Sequence, residues 1–334
     1  MHLTPKRSNA AEGDRHRTVA GVTNFQIHYG EQVTRARRDG RPVVALESTI
    51  ISHGLPHPDN LRVAREIEQT VRDNGAVPAT IGMIGGELVV GLDDRQIEHL
   101  ALAEGVAKLS VRDLAVAAAK RADGATTVAA TSAVAAAAGI GVFATGGLGG
   151  VHREANVTFD ESADLTTLAR TPIVVVCAGV KSILDVGATL ERLETLGVAV
   201  AGYRTKRFPG FFITDGGFDV DWQLDSPDEI ADVMRARTDH GVGAGALILA
   251  NPLPVDEQLE PALHDRTLAE GLALLSRGGI TGKAVTPFLL SHFHASTEGQ
   301  SLAVNVRIIL RNSALAARIA AAHTPAPAPV GFTA

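Results

Sequence analysis

Lys181 stands where a buried apolar run gives way to a helical pattern. TPIVVVCAG (171–179) reads as a parallel strand covered on both faces, and Ile183, Leu184, Leu190 and Leu193 then recur at helical spacing. Ser182 and Asp185 form an S-x-x-D box that would cap that helix directly after the lysine. In open α/β sheets, ligands bind at the carboxyl ends of strands, which is where this places Lys181. A helix N-terminus disfavours a protonated amine beside it, so the pKa of Lys181 should fall. A lysine of that kind is a nucleophile able to form a Schiff base. Position alone does not separate this reading from a solvated lysine in a βα loop.

Other chemistry-bearing residues fall at similar places. Glu47 ends the buried run RPVVALES (41–48). If burial raises its pKa it can protonate a leaving oxygen; otherwise it is a half-exposed carboxylate with a cationic neighbour. The loop from Thr145 to Arg153 (TGGLGGVHR) follows a strand. Its glycines would let the backbone approach an anion, with Thr145, His152 and Arg153 adding donors, or it is a bare tight turn. It is neither a P-loop nor G-x-G-x-x-G. Asp160, Glu161 and Asp164 lie within five residues, with Ser162 between them. One carboxylate and several waters would suit Mg²⁺ or Mn²⁺. The same residues also suit a helix N-terminus capped by Ser162. Lys108, just before a helical segment, reads alone as a surface lysine. His292 and His294 are two apart in a helical pattern, do not share a face, and are rejected as a ligand pair.

The elements that must position these residues alternate along the chain. Strands are expected at 41–48, at 79–92 as a hairpin around Gly85-Gly86, at IGVFATGG, at 171–179, at 198–203 and at 245–251. Helices are expected at 60–74, from Asp93, through two Ala-rich segments split near Gly124, at 230–237, at 268–278 and at 311–322. VTPFLL (285–290) and Asn305 would return to the sheet edge that carries Lys181. We read residues 26–320 as one α/β domain with helices on both faces of a sheet. Residues 1–25 read as a disordered extension and 321–334 as a Pro/Ala-rich tail.

Composition excludes several classes. With 31 basic against 37 acidic residues the net charge is −6, which argues against a nucleic-acid surface, and aromatic residues at 4% leave few stacking platforms. No apolar run is long enough to span a bilayer, so no membrane role is expected. The first residues lack the apolar core of a secretory signal. Cys177 is the only cysteine, which fits a cytoplasmic location.

At these segments the chain resembles the pseudouridine-5′-phosphate glycosidases, also called indigoidine synthase A-like proteins. The resemblance is carried in order by ALESTIISHGLPHPDN (45–60), KLSVRDL (108–114), ATGGLGGVHR (144–153), TFDESADLTTLARTPIVVVCAGVKSILD (158–185), LANPLP (249–254), GKAVTPFLL (282–290) and SLAVNVRIILRNSALAA (301–317). It implies a three-layer α/β/α sandwich with a mixed, mostly parallel central sheet, assembled as a homotrimer. It implies reversible cleavage of the C–C glycosidic bond of pseudouridine 5′-phosphate to uracil and ribose 5-phosphate, in pseudouridine catabolism. Lys181 would be the covalent nucleophile and Glu47 the proton donor. A divalent cation, typically Mn²⁺, would sit at Asp160. Lys108, Val128 and the run Ser162, Ala163 and Asp164 would bind substrate, with Thr145, His152 and Asn305 also on family positions near it. Lys108, Thr145 and the glycine loop would hold the 5′-phosphate. Some relatives instead join ribose 5-phosphate to an aromatic acceptor, and an altered base pocket near His57 or Asp215 would favour that C-glycosynthase reading.

Overall fold

The structure is a computed structural model that describes residues 25–280 and 284–324. The terminal extension and tail therefore fall almost wholly outside the described residues. The part of the tail that is described, up to His323, continues the last helix.

The strands are β1 (Ile27–Tyr29), β2 (Val43–Leu46), β3 (Val77–Ile84), β4 (Glu87–Val90), β5 (Ala107–Leu109), β6 (Gly124–Thr126), β7 (Val142–Ala144), β8 (Val174–Cys177), β9 (Ala199–Tyr203), β10 (Arg207–Phe208), β11 (Phe218–Asp219), β12 (Trp222–Leu224) and β13 (Leu247–Ala250). Eleven of them form one sheet, whose main path runs β1-β4-β3-β2-β7-β8-β13-β9-β12, with β6 paired to β3 and β5 to β6. Its pairings are parallel except β3 with β4 and β3 with β6. This is the mixed, mostly parallel sheet expected, and the Gly85-Gly86 hairpin joins β3 to β4.

The layers follow from the alternation of side chains along each strand. Val44, Leu46, Val174, Val176, Leu247 and Leu249 point to one face, against the helices Asp59–Asp73, Pro227–Asp239 and Gln300–His323. Ala45, Val175, Cys177 and Ile248 point to the other, with the helices Val128–Ala137 and Ala163–Leu168. Strands buried on both faces read as continuous apolar runs, as VVVC does. A third apolar cluster, including Phe208, Phe211, Phe212 and Phe293, caps the carboxyl edge of the sheet. Phe212 and Phe293 stack with ring centroids 5.1 Å apart.

Three local expectations need correction. The break between the Ala-rich segments is a strand, β6, because small residues fit between β3 and β5: a Cβ at Gly124 would run into the side chain of Leu109 on β5. The helix after Lys181 begins at Val186, and its cap is Asp185, which accepts from the Ala188 N–H at 2.9 Å. Ser182 makes no cap, and its Oγ is buried without a partner among the described residues. The last helix starts at Gln300 and not at Arg311, because its buried stripe includes polar Asn305 and Asn312, which an apolar count misses. Among the described residues, no helix is long and apolar enough to cross a membrane.

Candidate active site

Strands β2 and β7 are neighbours, yet β2 leads on to β3 on one side and β7 to β8 on the other. Such a reversal opens a crevice at the carboxyl ends of the strands. Glu47 leaves β2 into this crevice, Thr145 leaves β7, and Lys181 lies four residues beyond β8.

Glu47 is held rigidly. The Ser48 hydroxyl donates to the Ile81 carbonyl at 2.7 Å and accepts from the Thr126 N–H at 2.9 Å, while Thr49 donates to the Thr126 carbonyl at 2.8 Å. These bonds pin the end of β2 to β3 and β6. The residue is only 8% exposed, and the Thr145 hydroxyl donates to its Oε1. Burial raises the pKa of Glu47; the positive charge of Lys181, the Thr145 bond and Lys108 all pull it back down. Thr145 was expected among the phosphate donors. It is fully buried and its hydroxyl donates a hydrogen bond to Glu47, so that hydroxyl is committed to the carboxyl group. The Thr145 carbonyl is held in turn by the Asn312 amide at 2.8 Å, and Asn312 accepts from Asn251 at 2.9 Å. Neither asparagine stands out in the sequence, because a single Asn on a helix or after a strand has no spacing signal.

The glycine loop and the Lys181 loop run together. The Leu148 N–H donates to the Gly179 carbonyl and the Lys181 N–H to the Leu148 carbonyl, at 2.9 and 3.1 Å. This pairing, and not a helix N-terminus, positions the lysine. The glycines are needed for close approach, but at three positions what approaches is the protein itself. A Cβ on Gly147 would lie 2.6 Å from the Phe211 ring, one on Gly149 2.7 Å from Asp164 Oδ2, and one on Gly150 2.7 Å from Thr189 Cγ2. Cys177, one residue before the loop, is buried with its thiol pushed up to about 12, which removes it as a nucleophile.

A cleft of about 330 Å³ joins Glu47, Lys181, Lys108 and Val128 with His152, Asp160 and the Ser162–Asp164 run. Arg112, Ser110, Thr127 and Thr286 line it as well; none of these four stood out as a site residue in the sequence. Of the three clustered carboxylates, two are already engaged. Glu161 pairs with Arg192 at 3.0 Å, and buried Asp164 accepts from the Ala129 and Gly149 N–H groups at 2.9 and 2.8 Å. Asp160 remains, facing the cleft 3.7 Å from His152 Nδ1. Among the described residues no three metal-ligating side chains converge. One carboxylate with waters matches the habit of Mg²⁺ or Mn²⁺, so Asp160 fits a divalent cation. Burial lowers the pKa of His152, opposed by Asp160 and reinforced by Lys108. Arg153 is exposed and does not line the cleft.

On the other side of Glu47 and Lys181 a small chamber opens, walled by Ile50, Phe211, Pro287 and Leu290 and carrying His53 and Asn305. It continues into an outer cavity of about 180 Å³ lined by Leu55, Phe212 and Leu302. His57 and Asp215 line neither. His57 is exposed and Asp215 is bound to Arg207 at 2.9 Å, so neither residue supplies the altered base pocket that would favour the C-glycosynthase reading. His292 donates from Nε2 to the Thr267 carbonyl, 3.2 Å away, which engages it apart from His294.

The sequence model of a family described as indigoidine synthase A like protein matches residues 32–322. A pseudouridine-5′-phosphate glycosidase of Salinispora tropica is 76% identical over 96% of this chain and 97% of its own length. Among solved structures, the prealnumycin C-glycosynthase AlnA in complex with ribulose 5-phosphate superposes with a TM-score of 0.82 at 38% identity, over 89% of this chain and 97% of its own. An indigoidine synthase A-like protein of Thermotoga maritima gives a TM-score of 0.80 at 32% identity, over 92% and 99%.

Proposed function

Because the chain belongs to the indigoidine synthase A-like family, we propose that it is a pseudouridine-5′-phosphate glycosidase, reversibly cleaving the C–C bond between uracil and ribose 5-phosphate. The observation that carries this reading is a buried, hydrogen-bonded carboxyl group sharing one cleft with a lysine, between a charged side and an apolar side. A C–C glycosidic bond has no linkage heteroatom to protonate, so C1′ must first become an electron sink.

The residues supply what this needs. The Lys181 amine attacks C1′ while Glu47 gives its proton to the ring oxygen, whose bond to C1′ breaks. The nitrogen lone pair of the open-chain adduct then forms an iminium as the C1′–C5 bond breaks, its electron pair leaving with the base, which takes a proton at C5. Water hydrolyses the imine and releases ribose 5-phosphate. Covalent catalysis divides one difficult cleavage into easier steps. The raised pKa of Glu47 suits a proton donor near neutral pH. We assign the phosphate to the side bearing Lys108, Arg112, Val128 and Ser162–Asp164, where remote binding energy can hold C1′ against the lysine. Asp160 would hold Mn²⁺ or Mg²⁺, which when bound supplies positive charge for the phosphate. The resemblance further implies a homotrimer, and the single buried Cys177 is compatible with a cytoplasmic enzyme.

Two outcomes follow for this side of the cleft. Gly149→Ala is expected to push Ser162 and Asp164 out of place and to raise KM about tenfold or more with a smaller change in kcat; steady-state kinetics reads the split. Asp160→Ala, stripped with chelator and retitrated, is expected to need about tenfold or more Mn²⁺ for half-maximal activity. An unchanged titration would remove Asp160 from the cation site.

The same machinery in reverse would join ribose 5-phosphate to another aromatic acceptor. The outer cavity favours this second reading by offering space beyond the chamber. Product analysis with uracil and bulkier aromatic acceptors in competition decides between them.

A further inference from the structure

The turn Ile50–Gly54 that follows Glu47 carries His53, a residue the chemistry above does not use. Its ring lines the chamber beside Glu47 and Lys181 and also the outer cavity. Burial and the positive charge of Lys108 both lower the pKa of the imidazole, opposed by the backbone of Val106. The ring is therefore neutral at neutral pH. A neutral imidazole carries hydrogen on one nitrogen and a bare lone pair on the other. Nε2 is buried and has no partner among the described residues, which leaves it able to take the lone-pair role. A buried acceptor left without a donor is costly, so a ligand that supplies one gains from it.

The layout says which end of a substrate meets it. Arg112, Asp160 and Ser162 mark the phosphate side, and Lys181 must touch C1′. What lies across C1′ from the phosphate enters the chamber walled by Ile50, Phe211, Pro287 and Leu290. Its apolar walls suit the faces of a pyrimidine ring, and its polar residues can meet the ring edge. A uracil joined through C5 keeps both of its ring N–H donors free, whereas one joined through N1 keeps a single donor.

Resting on the glycosidase reading, we propose that His53 is a specificity-determining residue whose Nε2 accepts a ring N–H of the base. It selects bases with a free N–H at that edge and holds them for reaction at C5.

The test runs the reaction in the synthetic direction, with ribose 5-phosphate and uracil, 1-methyluracil or 3-methyluracil. Wild-type enzyme is expected to reject one of the two methylated bases. His53→Leu should lower kcat/KM for uracil by about 10- to 100-fold, in keeping with a lost buried hydrogen bond. It should lower it far less for the rejected methylated base, so that the discrimination collapses. His53→Gln, which restores a carbonyl acceptor, should recover most of the preference, and KM for ribose 5-phosphate should stay unchanged in both variants. Equal losses of His53→Leu on all three bases, or discrimination that survives it, would overturn the proposal. If wild-type enzyme makes no C-glycoside from uracil at all, the glycosidase reading itself fails and takes this proposal with it, a result distinct from an active enzyme indifferent to residue 53.

Discussion

Lys181→Ala is expected to lower kcat on pseudouridine 5′-phosphate by about 10⁴-fold or more, because no other group in the cleft can make the covalent bond to C1′. Cys177 is buried with its thiol pushed up to about 12, and Lys108, which lines both parts of the site, is assigned to the phosphate. Lys181→Arg separates charge from nucleophilicity. The guanidinium keeps a positive charge near Glu47, where Lys181 is the strongest opponent of the rise caused by burial. It stays protonated and cannot add to carbon. We expect Lys181→Arg to be as inactive as the alanine variant, with a circular dichroism spectrum and melting temperature close to wild type. Activity retained by the arginine variant would mean that the residue acts through charge alone.

Glu47→Gln carries the second large effect, a loss of about 10²- to 10⁴-fold in kcat, the range for removing a positioned general acid. The glutamine carbonyl can still accept from Thr145, so the geometry survives while the proton is gone. The pH dependence has a definite sign. Burial raises the pKa of Glu47, and a donor works only while protonated. The wild-type rate should therefore fall as pH rises through that raised value, and this limb should be missing from Glu47→Gln. Stability follows the same linkage. A group whose folded pKa lies above its unfolded value contributes stability that is full below the unfolded pKa and lost as pH climbs through the folded one. At neutral and alkaline pH the buried carboxylate is thus a burden, and Glu47→Gln should melt about 2–4 °C higher than wild type. The gap should close toward acidic pH. Calorimetry across a pH series checks this; a gap that widens in acid would contradict the assignment.

Both residues were legible in the sequence because each follows a run buried on both faces, and in a parallel sheet such runs end at the ligand edge. What the sequence hid was mostly set by tertiary contacts. The S-x-x-D pattern after Lys181 suggested an immediate helix, but pairing of the Lys181 loop with Leu148 competes with it and delays the helix to Val186. Three clustered carboxylates look equivalent on paper. Only the fold assigns Glu161 to Arg192 and Asp164 to two backbone N–H groups, leaving Asp160 for the cleft. Thr145 reads as an anion donor until Glu47, 98 residues earlier, is seen beside it. Asn312 and Arg112 carry no local signal, since one reaches the glycine loop across the helix–sheet interface and the other sits on a short helical turn at the rim.

The central claim is a covalent bond between Lys181 and the sugar. It is tested most directly by incubating the metal-replete protein with ribose 5-phosphate and borohydride, then locating any adduct by peptide mass spectrometry. The account predicts a reduced sugar-phosphate adduct on Lys181, absent from Lys181→Ala. An active wild-type enzyme that yields no adduct, or one that carries it on another lysine, would contradict it.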